Sequence, residues 1–194
     1  MNYKIVISFI TIILTLVGYV PYIRDIVNKK TKPHAFTWFI FTIAGSIAYG
    51  LQVFGGAGVG SWGLLSAVIA CFIIFFFSLK IGDKDITYSD FIFLFLSLLS
   101  LFLWIVVKQP VWSAILATAV EVLGFAPTVR KTWNKPHSET LWTYEVGFFR
   151  HGISILALQK FNILTLLYPI VWTATNLIFS TFLIIRRKRV LNKH

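Results

Sequence analysis

Gly18-Tyr19-Val20-Pro21-Tyr22-Ile23-Arg24-Asp25-Ile26-Val27-Asn28-Lys29 recurs without a gap as Gly124-Phe125-Ala126-Pro127-Thr128-Val129-Arg130-Lys131-Thr132-Trp133-Asn134-Lys135, with Gly, Pro, Arg, Asn and Lys in register. The first copy then carries Lys30 to Lys32 as an insertion, and the match resumes as Pro33-His34-Ala35-Phe36-Thr37 against Pro136-His137-Ser138-Glu139-Thr140. An internal repeat in a very apolar chain points to a duplicated membrane bundle rather than to a soluble solenoid.

Composition sets the class. Hydrophobic residues make up 57% and charged residues 13% of the 194 positions, about half the charge of an ordinary soluble domain. Seven apolar stretches are long enough to cross a hydrocarbon core: Ile5 to Ile23, Phe36 to Phe54, Val59 to Leu79, Phe91 to Val107, Val111 to Val129, Leu141 to Leu158 and Ile163 to Ile185. They are far longer than the alternating strands of a membrane barrel, so each is predicted to be a helix, whose backbone groups satisfy one another inside lipid. The first stretch follows Lys4 as a secretory signal would. It lacks a small-residue cleavage site and runs on into the repeated segment, so it is expected to be retained as a helix. Cys71 is the single cysteine and has no intrachain partner for a disulfide.

The net charge of +11 is distributed by topology. With the segment after the seventh stretch taken as inside, the inner segments hold Arg24, Lys29, Lys30, Lys32, Lys80, Lys84, Arg130, Lys131, Lys135, Arg186, Arg187, Lys188, Arg189 and Lys193, while the outer ones hold only Lys4, Lys108 and Lys160. The positive-inside rule then places the N-terminus outside and the C-terminus in the cytoplasm, in what is expected to be the cell (inner) membrane. The basic residues cluster at helix ends and not on one continuous face, which argues against nucleic acid as a partner. The cluster Arg186 to Arg189 suits anionic headgroups of the lipid bilayer.

Each repeat comprises three helices, so a second copy joined directly would emerge inverted. The extra stretch Phe91 to Val107 corrects this and makes the copies parallel about an axis along the membrane normal. The expected fold is therefore an all-α membrane protein of seven transmembrane helices, arranged 3+1+3. A first three-helix repeat covers residues 1–80, a cytoplasmic loop and linker helix 81–108, a second repeat 109–186, and a basic tail 187–194.

A three-helix unit duplicated around a linker helix, with Pro21 and Pro127 near the inner ends of the first helices and a basic turn after each, resembles the PQ-loop superfamily, which includes the SWEET and SemiSWEET sugar transporters, the cystinosin-type amino-acid exporters and the KDEL receptor. The resemblance spans about Ile5 to Ile185. Tyr22 and Thr128 stand where the family carries Gln, and Pro33 and Pro136 lie in turns where SWEET transporters place a further proline pair within the second helices. The resemblance implies transport of a small polar or charged solute, sugar or amino-acid-like, by alternating access between two three-helix bundles; a non-transporting receptor or binding protein on the same scaffold is the alternative. Asn176 is similar to the Asn that lines the SWEET substrate site, Ser66 stands where the other copy's Asn would be, and Tyr49 and Phe149 lie where the family's stacking residue comes from the second helix.

The residues carry candidate chemistry of their own. Pro21 and Pro127 each remove a backbone hydrogen bond and free a carbonyl about a turn earlier, which suits either a hinge or a static bend. Trp62 and Ser66 share one helix face, as do Trp172 and Asn176. An indole with a hydrogen-bonding neighbour one turn on can line a solute pocket, although Trp62 also suits the membrane interface and Asn176 a helix–helix contact. Glu121, Glu145, Arg150 and His151 align with Thr15, Thr42, Ile47 and Ala48, so the second copy alone carries ionisable groups within its spans. Counted from the inner helix ends at about 1.5 Å per residue, Glu121 lies roughly 12 Å deep, Arg150 roughly 14 Å and Glu145 about 6 Å. Glu121 and Arg150 are expected to form a buried pair beside a central cavity, with Glu121 and His151 as candidate proton carriers or as parts of a static structural pair.

Other functions have little support in the sequence. Gly55-Gly56-Ala57-Gly58-Val59-Gly60 lacks the Lys-Ser/Thr of a phosphate loop and reads as an outer hairpin, with Gly56 and Gly60 permitting close helix approach. No His or Cys cluster has metal-ligand spacing, and no nucleophile sits beside a base, so no cofactor, metal or enzymatic activity is expected. A homo-oligomer is compatible with the sequence. Cysteines introduced singly at positions 30 to 32, with Cys71 replaced, should react with an impermeant thiol reagent only from the cytoplasmic side; labelling from outside would contradict the orientation.

Overall fold

A computed structural model describes residues 2–82 and 87–191. Among these residues the chain is all α: α1 (Tyr3–Val27), α2 (Ala35–Phe54), α3 (Trp62–Ile81), α4 (Tyr88–Ile105), α5 (Pro110–Gly124), α6 (Ala126–Asn134), α7 (Leu141–Ala157) and α8 (Ile163–Leu191), with a short 3-10 turn at Gly58–Ser61. Five spans are long and apolar enough to cross a membrane, α5 and α6 counting together as Pro110–Asn134. α4 is apolar over the shorter Phe91–Ile105, and α7 has 17 residues that include Glu145, Arg150 and His151. Such helices are compatible with a multi-pass membrane protein. The loop expected from Asp83 to Asp90 falls outside the described residues as far as position 86, and its last residues already belong to α4. Positions 192–194 of the expected basic tail also lie outside them, and its start is the last turn of α8.

The faces of the helices are inverted relative to a soluble protein. On α1 the buried residues are Ser8, Thr11, Thr15, Gly18, Tyr22 and Ile26, at the three- and four-residue spacing of one helix face. Phe9, Ile13, Leu16 and Val20 of the same helix are exposed. An apolar exterior around a polar, small-residue interior suits lipid as the solvent, because packing there depends on close approach and interhelical hydrogen bonds.

Six spans close into a ring. α3 packs between α1 and α2, α8 packs between α5 and α7, and the circuit is completed by α1 against α7 and α2 against α5; α4 stands outside, on α5 and α2. The Ser100 hydroxyl donates to the Ser113 carbonyl at 2.9 Å and that of Ser113 to the Ser100 carbonyl at 2.7 Å, which ties α4 to α5.

Prolines inside the helices create interhelical bonds. Pro21 has no N–H for the Val17 carbonyl one turn back, and Trp142 of α7 donates its indole N–H to that carbonyl at 3.1 Å. The Thr143 hydroxyl donates to the adjacent Gly18 carbonyl at 3.0 Å. Pro169 likewise frees the Thr165 carbonyl, which accepts from Gln52 Nε2 of α2 at 3.3 Å. The two repeated prolines are not equivalent. α1 continues through Pro21, whereas the stretch expected to run unbroken from Val111 to Val129 divides at Phe125, just before Pro127. The side chain of Pro127 lies outside the described residues.

At one end of the ring the turns after α1 and α6 meet. Thr140 donates to Asp25 at 2.9 Å, and Lys131 donates to the Lys32 carbonyl and to Glu139. At the other end the glycine run meets the α7–α8 connection. Gly56 and Gly58 have φ of +84° and +57°, a region that side chains with a Cβ avoid. Gln159 N donates to the Ala57 carbonyl at 3.0 Å, Lys4 Nζ caps the C-terminal carbonyl of Leu158 at 2.7 Å, and Gly60 lies so close that a Cβ there would sit 2.7 Å from Leu158 Cα. Gly60→Ala should therefore force backbone apart and cost about 1–3 kcal/mol, read as a lower melting midpoint of the purified protein. Gly124→Ala meets only ordinary contacts at 3.7 Å and beyond and should change stability by less than about 0.5 kcal/mol; equal melting of the two variants would contradict the tight seal.

Candidate functional site

The ring encloses a cavity of about 60 Å³, room for about four to six waters. Every ring helix contributes to its wall: Gly18 and Tyr19 from α1, Trp38 and Phe41 from α2, Ala67 and Cys71 from α3, Glu121 from α5, Gly147 and Arg150 from α7, and Trp172 and Asn176 from α8. α4 contributes nothing. The wall continues toward the α1 and α6 turns through Tyr22, His34, Thr128 and Glu139, and no wall residue comes from the sealed turns at 55–61 and 157–162.

Glu121 is the most constrained of these groups. It is only 2% exposed, and its Oε2 accepts from the Tyr168 hydroxyl at 2.8 Å and from the Trp172 indole N–H at 2.8 Å. Tyr168 and Trp172 are four apart on α8, so one helix face delivers both donors. Oε1 has no partner. It lies beside Gly45 of α2, where a Cβ would approach to 3.1 Å. A buried acceptor left empty costs free energy, which makes this oxygen the natural point for a donor-bearing solute or a proton.

Arg150 stands on the same wall at 5% exposure. It donates to His151 Nε2 at 2.5 Å and more distantly to the Gly63 carbonyl at 3.5 Å. Because a guanidinium only donates, Nε2 must offer its lone pair, so His151 is neutral with its proton on Nδ1. The ring of His151 stacks on Trp172, with centroids 6.1 Å apart and planes 18° apart.

The expected direct pairing of Glu121 with Arg150 is not formed. Ion pairs among the described residues are Arg24 with Asp25 and Lys131 with Glu139. The two charges share the cavity without contact, because the α8 donors hold the carboxylate and His151 holds the guanidinium. The sequence counted depth along the helices, and depth alone does not fix which faces meet.

The other expected site residues divide. Trp172 and Asn176 line the cavity; Asn176 Nδ2 donates to the Trp172 carbonyl at 2.7 Å, and its Oδ1 packs where a Cβ on Gly147 would lie at 2.6 Å. Ser66 is not on the wall. Its hydroxyl donates to Thr15 of α1 at 2.9 Å and to the Gly63 carbonyl at 2.8 Å, so it joins helices. Trp62 is exposed and packs edge-on against Phe9. Tyr49 lies behind the wall, against the cluster of Ala48, Leu64, Tyr168 and Trp172, and Phe149 is exposed. Glu145 is half-buried and off the cavity. Pro21 does not line it.

Glu139 was not singled out in the sequence, because a polar turn hides its fate. It is 4% exposed, is paired with Lys131 of α6 and accepts from the Tyr144 hydroxyl at 2.9 Å. Arg187 of α8 donates to its backbone carbonyl at 2.6 Å. Three elements thus converge on one residue at the mouth of the cavity, two of them on its carboxylate.

Among the described residues no group of three or more His, Cys, Asp or Glu is arranged to hold a metal ion. Comparison with protein-family models, with curated proteins and with solved structures gives no match. Glu139→Ala should lower the stability of the purified protein by about 1–3 kcal/mol through the loss of a buried acceptor, and Glu139→Gln by less, since the amide still accepts from Tyr144. Thermal unfolding of both variants checks this order, and an unchanged midpoint for Glu139→Ala would contradict it.

Proposed function

We propose that this chain is a multi-pass membrane transporter of the PQ-loop type, with α1 to α3 as one three-helix bundle, α5 to α8 as the other, and α4 as the linker. It moves a small polar or charged solute, sugar or amino-acid-like, by rocking the bundles about the central cavity. The observation that carries this reading is the cavity itself: a mostly apolar enclosure bearing a few buried polar and charged groups, one of them unsatisfied, deep in an apolar-surfaced helical ring, with walls drawn from both bundles. Polar and ionisable groups in such a setting are costly and usually mark a solute or ion path.

The packing supports the repeat. The order α1–α3–α2 has its counterpart in α5–α8–α7, and the contact of α1 with α7 has its counterpart in that of α5 with α2. The charge bias supports an outside N-terminus. The sealed end, at 55–61 and 157–162, is then extracellular, and the wall running toward His34 and Glu139 leads to the cytoplasm. Glu121, held by two donors on one oxygen and by none on the other, is the group placed to exchange a proton with the solute path.

Uptake of a panel of sugars and amino acids into proteoliposomes, with and without a pH gradient, tests the proposal. At least one solute should accumulate or equilibrate faster than in empty vesicles. Asn176→Leu should abolish that flux with insertion retained, and Glu121→Gln should remove its pH dependence. Binding without flux across the whole panel would favour a receptor on this scaffold, and a Glu121→Gln variant with unaltered pH dependence would contradict the coupling role.

A further inference from the structure

We infer that the ligand of the central cavity is a small zwitterion, carrying an N–H-bearing ammonium for Glu121 Oε1 and a carboxylate for Arg150. The inference rests on reading this cavity as the solute site and names the chemical class that the site accepts.

Three observations converge on that class. Glu121 Oε1 is a buried acceptor without a donor, on a carboxylate whose other oxygen is held in place by Tyr168 and Trp172. Arg150 is a buried guanidinium with several donors but, among the described residues, no carboxylate within salt-bridge reach; its partners there are the His151 ring and a distant carbonyl. The two groups have opposite charge, line one cavity and do not touch.

The charge balance then discriminates among ligands. With Glu121 ionised, the two side chains carry no net charge between them, so a neutral ligand with separated charges leaves the interior neutral while compensating both. A simple anion or cation would answer one side chain and add an uncompensated charge to a low-dielectric site. A polyol could supply hydrogen bonds, but it would leave both charges unopposed.

Size and shape narrow the class further. The cavity volume of about 60 Å³ admits a compact ligand. Gly45 packs against Oε1, where a Cβ would approach to 3.1 Å, so a methyl group there would press on the carboxylate that the ligand must meet. The stacked rings of Trp172 and His151 bridge the segment between the two charged groups, Trp172 bonding Glu121 and His151 bonding Arg150. The neighbouring ionisable groups do not compete for the ligand ammonium or carboxylate: Glu139 is engaged by Lys131 at the mouth, and Cys71 lies opposite Tyr19 at 4.0 Å.

Titration calorimetry on the full chain in nanodiscs tests the inference, with glycine, L-alanine, L-serine and β-alanine as probes, and propionate, propylamine, glycine betaine and glucose as comparators. At least one of the four amino acids should bind saturably. Propionate and propylamine, each lacking one charged group, should bind about a hundredfold more weakly or not at all. Glycine betaine, which has the charges but no N–H, should also lose to glycine. Gly45→Ala, which changes no charge, should weaken binding, and Glu121→Gln and Arg150→Gln should weaken it further. Tighter binding of glucose, propionate or propylamine than of every amino acid overturns the inference, as does the absence of binding by all four up to about 10 mM, an affinity weaker than about −3 kcal/mol. The same amino acids in proteoliposomes separate the two claims: binding without flux leaves the ligand class standing and contradicts transport, whereas flux of glucose alone leaves transport standing and contradicts the ligand class.

Discussion

A buried polar group in an apolar helical bundle has neither water nor lipid to bond, so it must find its partner on another helix, and this constraint organises the whole ring. Ser66 reaches Thr15, Thr143 reaches Gly18, Trp142 and Gln52 reach the carbonyls freed by Pro21 and Pro169, and Ser100 and Ser113 exchange bonds. Each such bond fixes which faces of two helices meet. The exposed apolar residues, pointing outward, need no particular partner. Specificity of packing therefore comes from a minority of hydroxyls, amides and freed carbonyls.

Glu121 is where that rule is only half obeyed. Two aromatic donors hold one oxygen, and the other is buried beside Gly45 of α2 without a donor. Arg150, on the same cavity wall, is answered by a neutral histidine and, among the described residues, by no carboxylate. Gln52 Oε1 and Arg186 Nε are also buried without a partner, but neither residue lines the cavity; two incompletely answered charges on one enclosure mark a place for a group from outside the protein. The two ends of the ring differ in kind as well. Backbone-to-backbone contact through glycines seals one, and side-chain bonds around Glu139, Lys131 and Asp25 hold the other. Side-chain bonds can be exchanged with water at little cost, so the second end is the easier one to open.

Much of this was legible in the sequence, for physical reasons. Apolar stretches match helices because a bilayer dictates their length; the asymmetric placement of Glu121, Arg150 and His151 singled them out because ionisable groups are rare in such spans, and the repeated four-residue spacing from a tryptophan singled out Asn176. What was not legible depended on rotation about helix axes. Depth along the chain suggested that Glu121 would meet Arg150, but the α8 face carrying Tyr168 and Trp172 reaches the carboxylate instead. The same limit applies to Ser66, whose repeat position implied a wall residue and whose orientation makes it a helix contact. The break at Phe125 and the burial of Glu139 arise from tertiary packing around a proline-containing segment and a turn, which local composition reads only as polar.

Cys71, the single cysteine of the chain, reports on the central claim directly, because it is buried on the cavity wall. The decisive measurement is its conversion to a mixed disulfide, with release of methanesulfinate, by a small membrane-impermeant methanethiosulfonate added to one side at a time of oriented proteoliposomes. Alternating access predicts modification from both sides, slowed in each case by bound solute. Modification from one side only, or from neither, would contradict a transporter that rocks about this cavity.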